Sequence, residues 1–202
     1  MNEGNINGKK GGSGGVNSNN LKKLTLCSVL SALIIVMTFV PYTGYISYGL
    51  VIEITTLHIV VILGAVLLGW KYGAVLGGVW GSFCIVRALI TGAWPDFINP
   101  MVSFVPRVIV GIVAGLVFYA LCKMRVNKYA SALITAIFGT LTNTVLVLSA
   151  LRIFGTFFEE FIEGGLLQTI LTTIIGINGV IELVAAVVIV PVIYAAIRRN
   201  IS

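Results

Sequence analysis

Long apolar runs, broken by short clusters of Gly, Pro, Lys and Arg, set the pattern of this chain from residue 24 onward. Each run approaches or exceeds the ~20 residues that an α-helix needs to cross a bilayer. Six helical spans follow from the pattern, over residues 24–40, 50–68, 72–90, 100–122, 129–151 and 166–197. Pro41 and the Tyr- and Gly-containing stretch behind it stop the first, and the segment from Gly69 to Gly73 makes a tight connection between the second and third. The loop at 91–99 carries Trp94, Pro95 and Asp96. The loop at 152–165 carries Glu159, Glu160 and Glu163 and has room for a short amphipathic turn. The last run is long enough to be tilted or extended, and Arg198 and Arg199 close it. Residues 1–20 hold Gly, Asn and Ser with almost nothing to bury, which predicts a disordered tail ahead of one membrane domain over 21–202. The first apolar run is too long for the core of a signal peptide and lacks a clear small-residue cleavage site, so it is counted as a span.

Composition supports this class. Of 202 residues, 58% are hydrophobic and 10% charged, against about 25% charged in soluble domains. The mean hydropathy is +1.05. The expected fold is an all-α integral membrane protein of six transmembrane helices. The net charge of +6 reads as topology rather than as a nucleic-acid surface. Ten of the thirteen cations, at Lys9, Lys10, Lys22, Lys23, Lys71, the 123–128 connection, Arg198 and Arg199, fall on one side, so both termini are expected in the cytoplasm. Tyr42, Tyr45, Tyr48, Trp94, Phe157 and Phe158 suit an outer aromatic belt.

A few polar residues break the apolar runs at depth. Counting ~1.5 Å per residue, Arg107 lies about 10 Å below the outer end of the fourth span, Asn143 about 12 Å down the fifth and Asn178 about 18 Å down the sixth. Glu182 is one turn deeper than Asn178 on the same face. Arginine stays charged and costs roughly 2.5–3.5 kcal/mol at a helix centre on insertion scales, so it faces an interior or a wet cavity with an anionic partner. A bidentate fork suits a carboxylate, and the asparagines can both donate to and accept from hydroxyls and amides. Two arrangements satisfy this set. Arg107 and Glu182 neutralise each other while the asparagines join helices, or Arg107, Asn143 and Asn178 line a site for a small acid. Asn99, Arg87 and Trp94, near the outer ends of their spans, are further candidates, although snorkelling alone accounts for Arg87. His58 with Glu53 matches no metal set and reads as an interior histidine with a proton-linked role left open. Cys27, Cys84 and Cys122 have neither paired nor metal-binding spacing, and no cofactor is implied.

Gly69, Gly73, Gly77 and Gly81 recur every four residues, a stripe expected to serve close packing inside the bundle. No phosphate-binding loop, catalytic dyad or nucleophile constellation is present, so an enzyme is disfavoured. Any concentrative transport must draw on an ion gradient or on another subunit.

At this point the chain resembles the substrate-binding S components of energy-coupling factor (ECF) vitamin transporters over roughly residues 21–199. The resemblance rests on the six spans and on three stretches. The first is Leu24 to Ala32 after a basic start. The second is His58 to Gly77. The third runs from Phe97 through Asn99, Pro100, Ser103 and Pro106 to Arg107, followed by Gly111 and Gly115. The last two stretches are similar to the pantothenate branch. The resemblance implies an all-α membrane subunit that binds its vitamin near the outer face, under the loop after the first span, with side chains from spans four to six. It also implies a transmembrane coupling subunit and two cytoplasmic ATPases as partners. Docking on the coupling subunit would use an AxxxA-like step, here Ser28 and Ala32, and transport would proceed by toppling of the whole subunit. Pantothenate, with one carboxylate, two hydroxyls and an amide, complements one arginine and two amides. Biotin, lipoate and nicotinate share the carboxylate, and folate or riboflavin would call for more aromatic stacking. A self-sufficient proton-coupled carrier using His58 and Glu182, and a ligand-free membrane scaffold, are the competing classes.

Overall fold

The computed structural model describes residues 18–48, 52–92, 94–155 and 166–201. Among them the chain forms six α-helices: α1 (Ser18–Phe39), α2 (Leu57–Leu68), α3 (Trp70–Thr91), α4 (Pro100–Lys123), α5 (Lys128–Phe154) and α6 (Leu166–Ile201). Strands β1 (Tyr45–Tyr48) and β2 (Ile52–Thr55) pair antiparallel between α1 and α2, and a 3-10 turn, Pro95–Ile98, leads into α4. Five segments are long and apolar enough to cross a membrane unaided: Asn20–Phe39, Trp70–Thr91, Pro100–Lys123, Lys128–Phe154 and Asn178–Ile197. Helix α1 begins at Ser18, inside the stretch expected to be a tail. Residues 1–17 lie outside the described residues, as do Phe157, Phe158, Glu159, Glu160 and Glu163.

The second apolar run departs from expectation. It was expected to be helical from residue 50, in a wholly helical domain. It opens instead as a β-strand and turns helical only at Leu57. The cause is local: Tyr-Ile-Ser-Tyr and Ile-Glu-Ile-Thr are rich in β-branched and aromatic residues and alternate in polarity, which favours a pleated pair. Tyr45 pairs with Thr55 and Ser47 with Glu53 in the resulting register. Helix α2 is left with 12 residues, about 18 Å of rise, less than the ~30 Å of a hydrocarbon layer. Its apolar character runs all the way round, and all but one of its residues are buried, the signature of a helix at the centre of a bundle.

Two apolar clusters share that central helix. One joins α2 to α4, α5 and α6 through Ile59, Ile62, Val110, Ala136, Ala186 and Val190. The other joins α2 to α1, β1 and α3 through Val61, Ile34, Tyr45, Leu76 and Trp80. The turn from α2 to α3 needs Gly69, whose φ of 99° is open to glycine and strained for other residues. The glycine stripe does serve internal packing. A Cβ on Gly73 would strike the Gly111 backbone, and one on Gly77 would strike the Arg107 carbonyl. Gly77 thus brings the backbone of α4 onto α3 at the level of Arg107. Facing outward, Val180, Val184, Val188 and Val192 make an exposed apolar stripe on α6 suited to lipid.

Candidate functional site

Arg107 is held in place by its own helix. Pro106 has no N–H, so it cannot bond the Val102 carbonyl one turn back, and a carbonyl freed inside a membrane helix needs another donor. Arg107 supplies it: Nη1 donates to the Val102 oxygen at 2.5 Å. The guanidinium carbon lies 5.0 Å from the centroid of the Trp80 ring and 5.3 Å from that of Phe97. Each such contact offsets part of the desolvation cost, by about 0.5–2 kcal/mol. Phe97 is pinned in turn, because Ser103 Oγ donates to its carbonyl at 2.5 Å. Arg107 is only 4% exposed, and its Nε has no hydrogen-bond partner. Among the described residues no carboxylate pairs with it.

Glu182, the anion expected as an alternative partner, is engaged elsewhere. Its Oε1 accepts the backbone N–H of Thr55 at 2.7 Å, tying α6 to strand β2. It feels the charge of Arg107 through space without an ion pair between them. The other arginine candidate has found its anion inside the protein. Arg87 makes a two-pronged pair with Glu53 at 2.7 and 3.2 Å, and its guanidinium carbon sits 4.0 Å from the centroid of the Tyr45 ring. Tyr45 Oη accepts from Trp80 Nε1 at 3.1 Å. The hairpin is therefore fastened on two sides, by Glu53 to α3 and by Thr55 to α6.

The helical register places the remaining groups. Helices α2, α4 and α6 run away from the hairpin end of the bundle and α5 runs toward it: Tyr194 late in α6 packs on Phe118 late in α4 and on Tyr129 at the start of α5. A Cβ on Gly139 of α5 would touch Ile62 of α2, and Ala114 of α4 also lies within van der Waals reach. One turn from that level toward the hairpin, ~5.4 Å, stand His58 on α2 and Asn143 on α5. Arg107, on the hairpin side of Ala114, stands nearly two turns from that level, and Glu182 stands one turn from Ala186 toward the hairpin. The four polar residues thus cap the hairpin end of the same apolar cluster from four different helices, with Arg107 about one turn nearer the hairpin than His58 and Asn143. All four are buried, and among the described residues the Asn143 Oδ1 is without a partner. The His58 ring nitrogens lack a hydrogen bond of good geometry, with the Thr55 backbone as the polar group within reach.

Of the candidates read from sequence, the structure brings Arg107 and Asn143 to this end of the cluster and sets Asn178, half-buried, one turn before Glu182 on the same face of α6. Asn99 Oδ1 caps α4 by accepting from Met101 N at 3.0 Å, with Pro100 in the first turn. Trp94 sits at the start of the 3-10 turn with a positive φ of 58°, half-buried. Two side chains that line the arginine, Trp80 and Phe97, were not picked out as candidate site residues by sequence reasoning. The Pro106–Arg107 adjacency was the available signal: a proline frees a carbonyl, and the neighbouring cation can take it.

Comparison with known proteins fits this geometry. The sequence profile described as "ECF transporter, substrate-specific component" matches residues 22–194. The chain belongs to that family. It is therefore a multi-pass membrane protein and the substrate-binding component of an ECF-type transport system, as the sequence resemblance implied. It is 32% identical over 161 residues to the "Pantothenic acid transporter PanT" of Lactococcus lactis subsp. cremoris, covering 72% of this chain and 78% of that one. It is 34% identical over 109 residues to the "Pantothenate transporter PanT" of Leuconostoc mesenteroides, covering 51% of this chain and 53% of the relative. The fold is like that of the crystal structure of "the S-component for biotin from an ECF-type ABC transporter", with a TM-score of 0.62 at 20% identity over 89% of this chain and 94% of the other.

Proposed function

We propose that this subunit captures pantothenate from the outside, with Arg107 as the clamp for its carboxylate. The observation that carries this reading is the buried guanidinium of Arg107, which has a backbone carbonyl and two aromatic rings for company but, among the described residues, no carboxylate partner. The similarity to two pantothenate transporters favours this vitamin over the other carboxylates. In this reading the carboxylate meets the free edge of Arg107, and the hydroxyls and amide of the ligand meet Asn143 and Asn178. The hairpin closes the outer side. Arg87, Asn99 and Trp94 shape the surroundings: Arg87 holds the hairpin through Glu53, Asn99 starts α4 and Trp94 starts the turn that carries Phe97.

The domain spans the membrane six times in this reading, with α2 and the hairpin together making the second crossing and both termini in the cytoplasm. The partners are a transmembrane coupling subunit and two ATPases. They engage α1, where Ser28 and Ala32 are exposed one turn apart and Ser28 Oγ is spent on the Leu24 carbonyl at 3.0 Å, leaving a smooth surface. Titration calorimetry of the purified protein with pantothenate, biotin, lipoate and nicotinate tests the reading. Pantothenate should bind at one site per chain and the other acids at least a hundredfold more weakly. Tight binding of another vitamin, with none for pantothenate, would overturn it.

A further inference from the structure

We propose that His58, on α2, is a ligand-contacting residue that works with Asn143 to hold the hydroxyl-bearing end of the ligand, opposite the Arg107 clamp. The inference rests on the reading of a hydroxylated acid in this site and adds a fourth helix to it. His58 is fully buried in a helix whose other side chains are apolar. An imidazole placed there with only the Thr55 backbone in reach, and no well-formed hydrogen bond to it, recovers little of the hydration it loses, a cost of order 1–3 kcal/mol. Asn143 carries the same cost at Oδ1. The two lie at one level, each a single turn from the Ile62–Gly139 contact toward the hairpin, on antiparallel helices. Two unpaired groups at the same height on packed helices are complementary to a third party. A neutral imidazole offers one donor and one acceptor, and the asparagine oxygen offers an acceptor, so a hydroxyl that both donates and accepts satisfies them together. Arg107 enters this end of the cluster from α4, so an acid bound there points its other end toward α2 and α5.

Apolar neighbours sharpen the consequence. Ile59 and Ile62 fill the level just below on α2. A site of this kind discriminates strongly against an analogue that lacks the hydroxyl, because the buried partners then stay unpaired. His58 thereby becomes a specificity residue for hydroxylated acids over purely aliphatic ones.

The test compares two ligands on four proteins by calorimetry: pantothenate, and an analogue keeping the carboxylate and amide but with both hydroxyls replaced by hydrogen. The proteins are wild type, His58→Leu, His58→Gln and Arg107→Ala. His58→Leu should weaken pantothenate by at least about tenfold and leave the dehydroxylated analogue within twofold of wild type. His58→Gln, which retains a donor and an acceptor, should recover part of the loss and supplies the reading if the leucine variant does not fold. Equal effects on both ligands, or none on either, would overturn the role of His58. In that event a loss of both ligands in Arg107→Ala would leave the carboxylate clamp standing. Failure of wild type to bind pantothenate would instead remove the reading beneath it.

Discussion

Replacing Pro106 with alanine should raise the thermal stability of the protein and weaken its grip on an acidic ligand. The proline withholds an N–H from the Val102 carbonyl, and Arg107 Nη1 takes that carbonyl at 2.5 Å. An alanine at 106 restores the helical donor. Inside a helix alanine is favoured over proline by ~3 kcal/mol, but part of this is already recovered by the arginine bond, about 1.5–3 kcal/mol for a charged donor. The net gain is then about 1 kcal/mol, ~2–4 °C for a chain of this size. The carbonyl has two lone pairs, so the arginine bond is shared and loosened rather than lost. Loss of about 1 kcal/mol of positioning corresponds to roughly fivefold weaker binding. Melting of the ligand-free protein in detergent and calorimetric titration with pantothenate read the two effects separately. Unchanged or tighter binding in a stabilised Pro106→Ala variant would refute the idea that the freed carbonyl positions the guanidinium.

Other perturbations follow from the same geometry. Arg107→Ala should weaken pantothenate binding by roughly a hundredfold, the worth of two charge-assisted hydrogen bonds, and Arg107→Lys should fall between, with charge but no fork; equal affinity of alanine and wild-type proteins in calorimetry would rule out the clamp. Gly77→Val should lower the melting temperature by several degrees, since its Cβ meets the Arg107 backbone and overpacking costs ~1–3 kcal/mol. Glu182→Leu orphans the Thr55 N–H and should speed ligand release in stopped-flow measurements, whereas Glu182→Gln keeps the acceptor and should not. Ser28→Trp or Ala32→Trp should abolish ATP-driven uptake in proteoliposomes while leaving ligand affinity intact.

The long spans were legible because a bilayer imposes a length and a polarity that single residues rarely override. Arg107 stood out for the same reason, as a permanent charge where charge is costly. The hairpin was missed because its alternation is short and merges into the apolar run of α2, so hydropathy alone joined them. The bond from Arg107 to Val102 was hidden by treating Pro106 as part of the span rather than as a missing donor. The engagement of Glu182 with Thr55 and of Arg87 with Glu53 depends on where the hairpin lands, which no spacing along the chain encodes. His58 and Asn143 come level only through the crossing of α2 and α5 at Ile62 and Gly139.

The most direct test of the carboxylate clamp is the preference of the protein for an acid over its alcohol. Calorimetric affinities for pantothenate and for the analogue bearing a primary alcohol in place of the carboxylate should differ by about a hundredfold in wild type and by less than about threefold in Arg107→Ala. A preference for the acid that survives in the alanine variant would contradict the assignment of Arg107 as the group that binds it.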